Sequence, residues 1–190
     1  MAMTPSDIVG PAPGAWTYND YLALSDDGRR YEIIAGVLNA APTPDTDHQT
    51  TVGEIHVALY NELKKAAAGR VFIAPYDVRL NVTTVLQPDV VVVLTHHLDR
   101  IGRRGVDGAP DLVVEVVSPG TATYDRDYKR HAYERAGVPE YWIVDPGTKT
   151  VELFILDGDC YLQVGVYEGD ARVPTRVIDG LDIPVRSLFS

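Results

Sequence analysis

The chain reads as a single α/β domain in which a mixed β-sheet is flanked by helices, with a β-hairpin towards each end. Short apolar runs of strand length recur along it, and a long stretch of helical periodicity separates the early ones. Two of these runs, Pro88-Asp89-Val90-Val91-Val92-Val93 and Pro110-Asp111-Leu112-Val113-Val114-Glu115-Val116-Val117, contain carboxylates where a buried strand ordinarily has none. A buried ionised carboxylate is costly unless it is paired, hydrogen-bonded or bound to a metal, so these runs point to a site.

At 190 residues the chain fits one domain with a substantial core. Its 45% apolar and 23% charged content is ordinary for a globular protein. Residues 1–15, with Pro5, Gly10, Pro11, Pro13 and Gly14, read as a flexible N-terminal segment, and 16–190 as the domain. No internal repeat or linker divides it. The start lacks the charged and apolar blocks of a signal peptide, and no run approaches the ~18–20 apolar residues of a membrane span. A lone cysteine, Cys160, excludes an internal disulfide and a thiolate set for zinc. A cytoplasmic location is expected.

Thr17 to Leu24 predicts a short helix, with Thr17 as cap, Asp20 as its acidic capping partner and Asp26-Asp27-Gly28 as the stop. Tyr31-Glu32-Ile33-Ile34 and Val37-Leu38-Asn39-Ala40 flank Ala35-Gly36 as a hairpin, which places Glu32 on a strand. Val52, Ile55, Leu59, Leu63 and Ala66 recur at helical spacing, predicting an amphipathic helix from about Asp47 to Ala68, closed by Gly69, with His48 in its first turn. Strands are expected over Val71–Leu80, Gln87–Leu94, Asp111–Val117, Glu140–Val144, Val151–Leu156 and Tyr161–Tyr167. A last helix from about Asp125 to Ala136 is capped by Thr123 or Asp125 and stopped by Gly137 and Pro139. Gly180-Leu181-Asp182-Ile183-Pro184 and Leu188-Phe189 read as a closing segment on the core.

Strand side chains alternate between faces, so Asp111, Val113 and Glu115 share one side, as do Asp89, Val91 and Val93. If these strands are neighbours, Asp89 and Glu115 converge. Lys129 shares a helical face with Asp125 and Tyr133 and can aim its ammonium at the acids. Oxygen ligands suit Mg2+ or Mn2+, which leave positions for water and a phosphate. The metal polarises the phosphoryl group and activates water, while a lysine neutralises developing charge. A metal-dependent phosphodiesterase site is therefore expected. The structural alternative makes Asp89 and Asp111 turn residues after their prolines, and Glu115 with Lys129 a lone buried ion pair.

Other chemistries lack their signatures. There is no Gly-x-Ser-x-Gly elbow, no Gly-x-x-x-x-Gly-Lys loop and no helical His pair at zinc spacing among His48, His56, His96, His97 and His131. His96-His97 is expected in a solvent-facing loop.

Pro110 to Pro119, Asp125 with Lys129, and Ala136-Gly137-Val138-Pro139-Glu140-Tyr141-Trp142-Ile143-Val144-Asp145-Pro146 form a specific combination. Tyr31 to Gly36, Pro42 to His48, Pro75 to Val78 and Pro88 to Val93 support it. On these residues, from roughly Trp16 to Phe189, the chain resembles the Uma-type bacterial endonuclease family of the PD-(D/E)XK restriction-endonuclease-like superfamily. The resemblance implies a restriction-endonuclease-like core and an Mg2+- or Mn2+-dependent endonuclease acting on DNA. It implies Asp89 and Glu115 as metal ligands, Lys129 as catalytic cation, Glu32 as an additional acid, and His48 with Gln49 as water or phosphate contacts. The lysine expected two residues after Glu115 is replaced by Val117, and by resemblance has moved to Lys129. Asp111 is either a third acid or a strand-start residue hydrogen-bonding its own backbone. Tyr128 and Tyr133 read as packing residues.

A net charge of −10 argues against a general nucleic-acid binder. Basic residues nevertheless cluster at Lys64, Lys65 and Arg70, at Arg100, Arg103 and Arg104, and at Arg126, Lys129 and Arg130. The rival to catalysis is a silent nuclease-fold module that binds nucleic acid or a protein partner. Such a module has no physical need to keep repulsive acids together, which favours the enzyme. An exposed edge strand and the C-terminal hairpin, with Val151, Leu153, Ile155, Tyr161, Leu162 and Val164, suggest a homodimer.

Overall fold

A computed structural model describes residues 8–118 and 124–189, without the Asp125 side chain. Thr123, Pro119 and the Asp125 carboxylate, each singled out above, lie outside the described residues. A capping box between Thr17 and Asp20 starts α1 (Tyr18–Leu22). Strands β1 (Arg30–Ile34) and β2 (Val37–Ala41) form the expected hairpin. Ala35 and Gly36 take φ values of 49° and 75°, the paired left-handed conformation that lets a two-residue turn follow the strand twist. The Gly14 and Trp16 N–H groups both donate to the Gly36 carbonyl and dock the preceding segment on this turn.

Helix α2 (Thr46–Ala66) is capped by Asp45, whose carboxylate accepts the His48 N–H at 2.9 Å. It buries Val52, Ile55, Leu59 and Leu63 as its periodicity requires. Ala67, left-handed at φ 50°, ends it instead of Gly69. Gly69 matters to the sheet and not to the helix. A Cβ there would stand 2.5 Å from the Val93 carbonyl oxygen, so glycine lets the next strand approach its neighbour.

The run expected as one strand over Val71–Leu80 is two, β3 (Gly69–Ile73) and β4 (Asp77–Asn81), in different sheets. Pro75 lies between them and has no N–H to give to a ladder. β5 (Thr84–Leu86), β6 (Val90–Leu94), β7 (Gly105–Asp107) and β8 (Leu112–Val116) follow, with a 3-10 segment over Thr95–Arg100. A π-type turn (Asp125–Lys129) runs into α3 (Arg130–Ala136), which Gly137 closes at φ 78°. Then come β9 (Glu140–Asp145), β10 (Thr150–Asp157), β11 (Cys160–Glu168) and a 3-10 turn at Val185–Leu188.

The central sheet has the order β11-β10-β9-β8-β6-β3, and a second has the order β2-β1-β5-β4-β7. Both are mixed, because β8 runs parallel to β9 and β4 parallel to β7. A parallel pair needs a crossover, and the π-type turn with α3 belongs to the one between β8 and β9. Alternation along β6 and β8 separates two cores. Val90, Val92, Val114 and Val116 pack against α2 and the closing segment, including Val173, Val185 and Leu188. Val113 and Val117 pack with Tyr133 of α3 and Leu86, while Val91 and Val93 meet Val78 and Val106 of the second sheet. The C-terminal hairpin is the edge of the central sheet. Of the residues expected at a dimer surface, Val151, Leu153, Ile155 and Tyr161 are buried in the core, whereas Leu162 and Val164 are exposed along with Val166.

Glu140 anchors the closing segment. It is fully buried, and its carboxylate accepts Trp142 Nε1–H at 2.7 Å and the Arg176 N–H at 2.8 Å. Glu140→Ala leaves both donors without acceptors and should lower stability by about 2–4 kcal/mol in urea unfolding at neutral pH. Burial raises the Glu140 carboxyl above its ordinary value. The folded state thus holds this proton more tightly than the unfolded chain, so the contribution is full below the ordinary carboxylate range and falls as pH rises through the raised value. The loss on Glu140→Ala should therefore be larger in mild acid than at neutral pH.

Candidate active site

β6 and β8 are antiparallel neighbours with Val90 opposite Val114, so Asp89, just before β6, stands level with Glu115 near the end of β8. Both acids are buried. Asp89 Oδ2 accepts the Val116 N–H at 2.8 Å and meets His48 Nε2 at 3.1 Å. The carboxylate is an acceptor only, which places a proton on Nε2, and Nδ1 of the same ring is buried without a hydrogen-bond partner. His48 reaches this point from the first turn of α2.

Glu115 is held from the crossover. Lys129 Nζ lies 3.1 Å from each of its oxygens, and the Tyr133 hydroxyl donates to Oε1 at 2.7 Å. These donors are four residues apart, the spacing that puts them on one helical face. Burial, then the charges of Glu115 and Glu32, push the Tyr133 hydroxyl well above its ordinary value, so it stays a neutral donor. Tyr133 packs, as expected, against Tyr141, with ring centroids 5.3 Å apart. Its bond to Glu115 was not anticipated, although its spacing from Lys129 carried the signal.

Glu32 enters from the second sheet. Alternation along β1 turns Tyr31 and Ile33 towards Trp16 and Leu38, leaving Glu32 to face the central sheet. Its Oε1 lies 3.1 Å from Lys129 Nζ and accepts the Gln87 N–H at 2.9 Å. The Gln87 side chain donates in turn to Tyr21 Oη at 3.0 Å and Asp77 Oδ1 at 2.9 Å, fixing the β5–β6 connection. Side-chain exposure is 8% for Lys129 and 3% for each acid, so the ammonium is enclosed between two carboxylates.

Val117, standing where the motif's lysine is usual, is buried among apolar residues. Gln49 is exposed in the first turn of α2. Asp111 is not with the other acids: four residues before Glu115, it lies at the opposite end of β8, ~13 Å away at strand rise. It does not bond its own backbone either. Its Oδ2 accepts the Leu94 N–H on the neighbouring strand at 2.7 Å, and Oδ1 meets His97 Nδ1 at 2.8 Å. His97 is thus tied down, whereas His96 is exposed. Beside the Glu115 end of β8 lies a pocket of ≈ 240 Å³ lined by Asp45, Asp47, Val117, Ser118, Asp145, Pro146 and Gly147.

Asp89, Glu115 and Glu32 offer only oxygen donors, the chemistry that a hard cation takes, and two of these acids face the Lys129 ammonium. An Asp at the foot of one strand, a Glu level with it on the antiparallel neighbour and a lysine from the crossover thus stand at one end of β6 and β8. The Uma2 family model, described as “putative restriction endonuclease”, matches residues 18–186. The chain belongs to the Uma2 family. Membership supports a nuclease function for this Uma2 chain. Its fold is similar to that of a “putative nuclease belonging to DUF820” from Anabaena variabilis ATCC 29413, with a TM-score of 0.77 at 21% identity, covering 91% of this chain and 97% of that one. That likeness establishes the fold. Among curated proteins none matches the chain. No helix among the described residues is long and apolar enough to cross a membrane.

Removing the buried cation would leave two enclosed carboxylates facing each other. Lys129→Met should therefore cost about 3–5 kcal/mol in urea unfolding at neutral pH. Adding Glu32→Gln should recover part of that loss, and two strictly additive losses would show that the pair is not coupled.

Proposed function

We propose that this Uma2 chain is an Mg2+- or Mn2+-dependent endonuclease that hydrolyses phosphodiester bonds in DNA. The observation that carries the reading is the Lys129 ammonium buried between Glu32 and Glu115, with Asp89 level with Glu115 on the adjacent strand. Asp89 and Glu115 would hold the metal, which supplies phosphoryl polarisation and water activation when bound.

The chain's own residues do the rest. Lys129 provides a fixed positive charge for the negative charge that develops on the transferring phosphoryl group, and its enclosure makes that charge effective. Glu32 steadies the ammonium from the side of the second sheet. Tyr133 fixes one Glu115 oxygen and thereby the plane of that carboxylate, a positioning role. His48 and the Val116 N–H do the same for Asp89. Gln49, exposed in the first turn of α2, would contact the nucleic acid.

An acidic chain must concentrate its phosphate contacts. Arg79, Arg103 and Arg104 line a pocket of ≈ 220 Å³ on the second sheet and are candidates for those contacts. Binding then rests on few cations and should weaken steeply with salt. A homodimer through the exposed outer face of β11 would bring two sites to one duplex. A cytoplasmic location completes this reading.

The test is cleavage of supercoiled and single-stranded DNA at low salt with Mg2+, Mn2+ or EDTA. Wild type should cut with metal and not with EDTA. Glu115→Gln and Asp89→Asn should abolish cutting, and Lys129→Ala should slow it by about 10²–10³-fold at a temperature where its circular dichroism is that of a folded chain. Metal binding by wild type without cleavage of either substrate would mean that its substrate is not generic DNA, whereas neither metal binding nor cleavage would replace this reading with the non-catalytic module.

A further inference from the structure

At the end of β8 remote from Glu115, three ligand atoms converge from residues the proposed chemistry does not use. Among the described residues, His96, His97 and Asp111 form the one group of three His, Cys, Asp or Glu donors whose atoms all lie within 4.8 Å of one another. His97 Nδ1 is 2.8 Å and His96 Nε2 is 3.7 Å from the same oxygen, Asp111 Oδ1. The two rings stand with centroids 4.0 Å apart.

A hydrogen bond accounts for the His97 contact and leaves His96 unexplained. The His96 side chain is 64% exposed and free to turn to water, yet its Nε2 faces an oxygen beyond hydrogen-bond reach at 3.7 Å. A metal about 2.0–2.1 Å from each of three tetrahedral ligands requires them to be roughly 3.3 Å apart, and the two observed distances straddle that value. The supporting contacts are also those of a ligand set. Asp111 is buried, and its other oxygen is fixed by the Leu94 N–H at 2.7 Å, so Oδ1 is aimed at the start of the 3-10 segment.

We propose that His96 Nε2, His97 Nδ1 and Asp111 Oδ1 bind a second divalent metal of the zinc class, distinct from the Mg2+ or Mn2+ proposed at Glu115. Two imidazoles and a carboxylate select zinc over the hard alkaline-earth ions. Three protein ligands leave a fourth position for water. Bound there, the ion staples the 3-10 segment that follows β6 to the start of β8, and so ties the loop carrying Arg103 and Arg104 to the central sheet.

The experiment is isothermal titration of the EDTA-stripped full chain with zinc sulfate in magnesium-free buffer, with the melting temperature read alongside. Wild type should take one zinc per chain at this site and melt higher with it. His96→Ala and His97→Ala should each weaken that binding at least about tenfold and remove the melting shift, while Glu115→Gln keeps both. His96→Ala is the decisive variant, because this exposed side chain leaves the Asp111–Leu94 bond in place and the fold intact. Absence of zinc binding in wild type, binding unchanged in both histidine variants, or binding lost in Glu115→Gln instead would each overturn the proposal.

Discussion

The fold turns on one buried ammonium. Lys129 reaches it from the crossover, Glu32 from the second sheet and Glu115 from the central sheet, so a single cation joins three parts of the chain that are far apart in sequence. Its placement cannot be relaxed without leaving a carboxylate enclosed and unpaired, a cost of several kcal/mol in a low-dielectric interior. This explains why the surroundings are so fully committed. Tyr133, the Gln87 N–H and the Val116 N–H each satisfy an acid whose alternative partner would be water.

Stability and the proposed chemistry draw on the same groups here. A chain that needed only a core could fill these positions with apolar residues and lose nothing. Instead, two cores of valines, leucines and aromatics on either face of the central sheet supply the cohesion. That cohesion offsets the polar cluster between the sheets. The second sheet is therefore part of the site, since it delivers Glu32 and fixes Gln87 through Tyr21 and Asp77. The opposite end of β8 has the same character in miniature, with Asp111 pinned by a backbone N–H and facing two imidazoles.

Much of the fold was legible. The α2 periodicity, the Thr17–Asp20 capping box, the Ala35-Gly36 turn and the Gly137 stop are local signals, and each formed within a residue or two of where its chemistry places it. The candidate site was legible to the extent that Asp89 and Glu115 interrupt apolar runs and Lys129 follows on the next helix, on one face with Tyr133. What failed depended on partners distant in sequence. Val71–Leu80 looked continuous because Pro75 acts through which sheet each half joins. Gly69 looked like a helix stop because its close approach to Val93 is a strand-pairing fact. The hairpin residues Val151, Leu153 and Ile155 looked available for a dimer because alternation does not say which face is covered.

The sequence by itself determined that Asp89, Glu115 and Glu32 needed partners, because an ionised group inside an apolar run has no other stable outcome. It also determined the helices, since their caps and spacing act within a few residues. Only the tertiary structure decided which partner each group received. Strand order made Asp89 level with Glu115, separated Asp111 from both and set it beside His96 and His97, and laid β1 where Glu32 meets Lys129. The reason is physical: alternation and periodicity set the face a side chain points to, whereas sheet order and register set what stands opposite, and these are settled by burial across the whole chain.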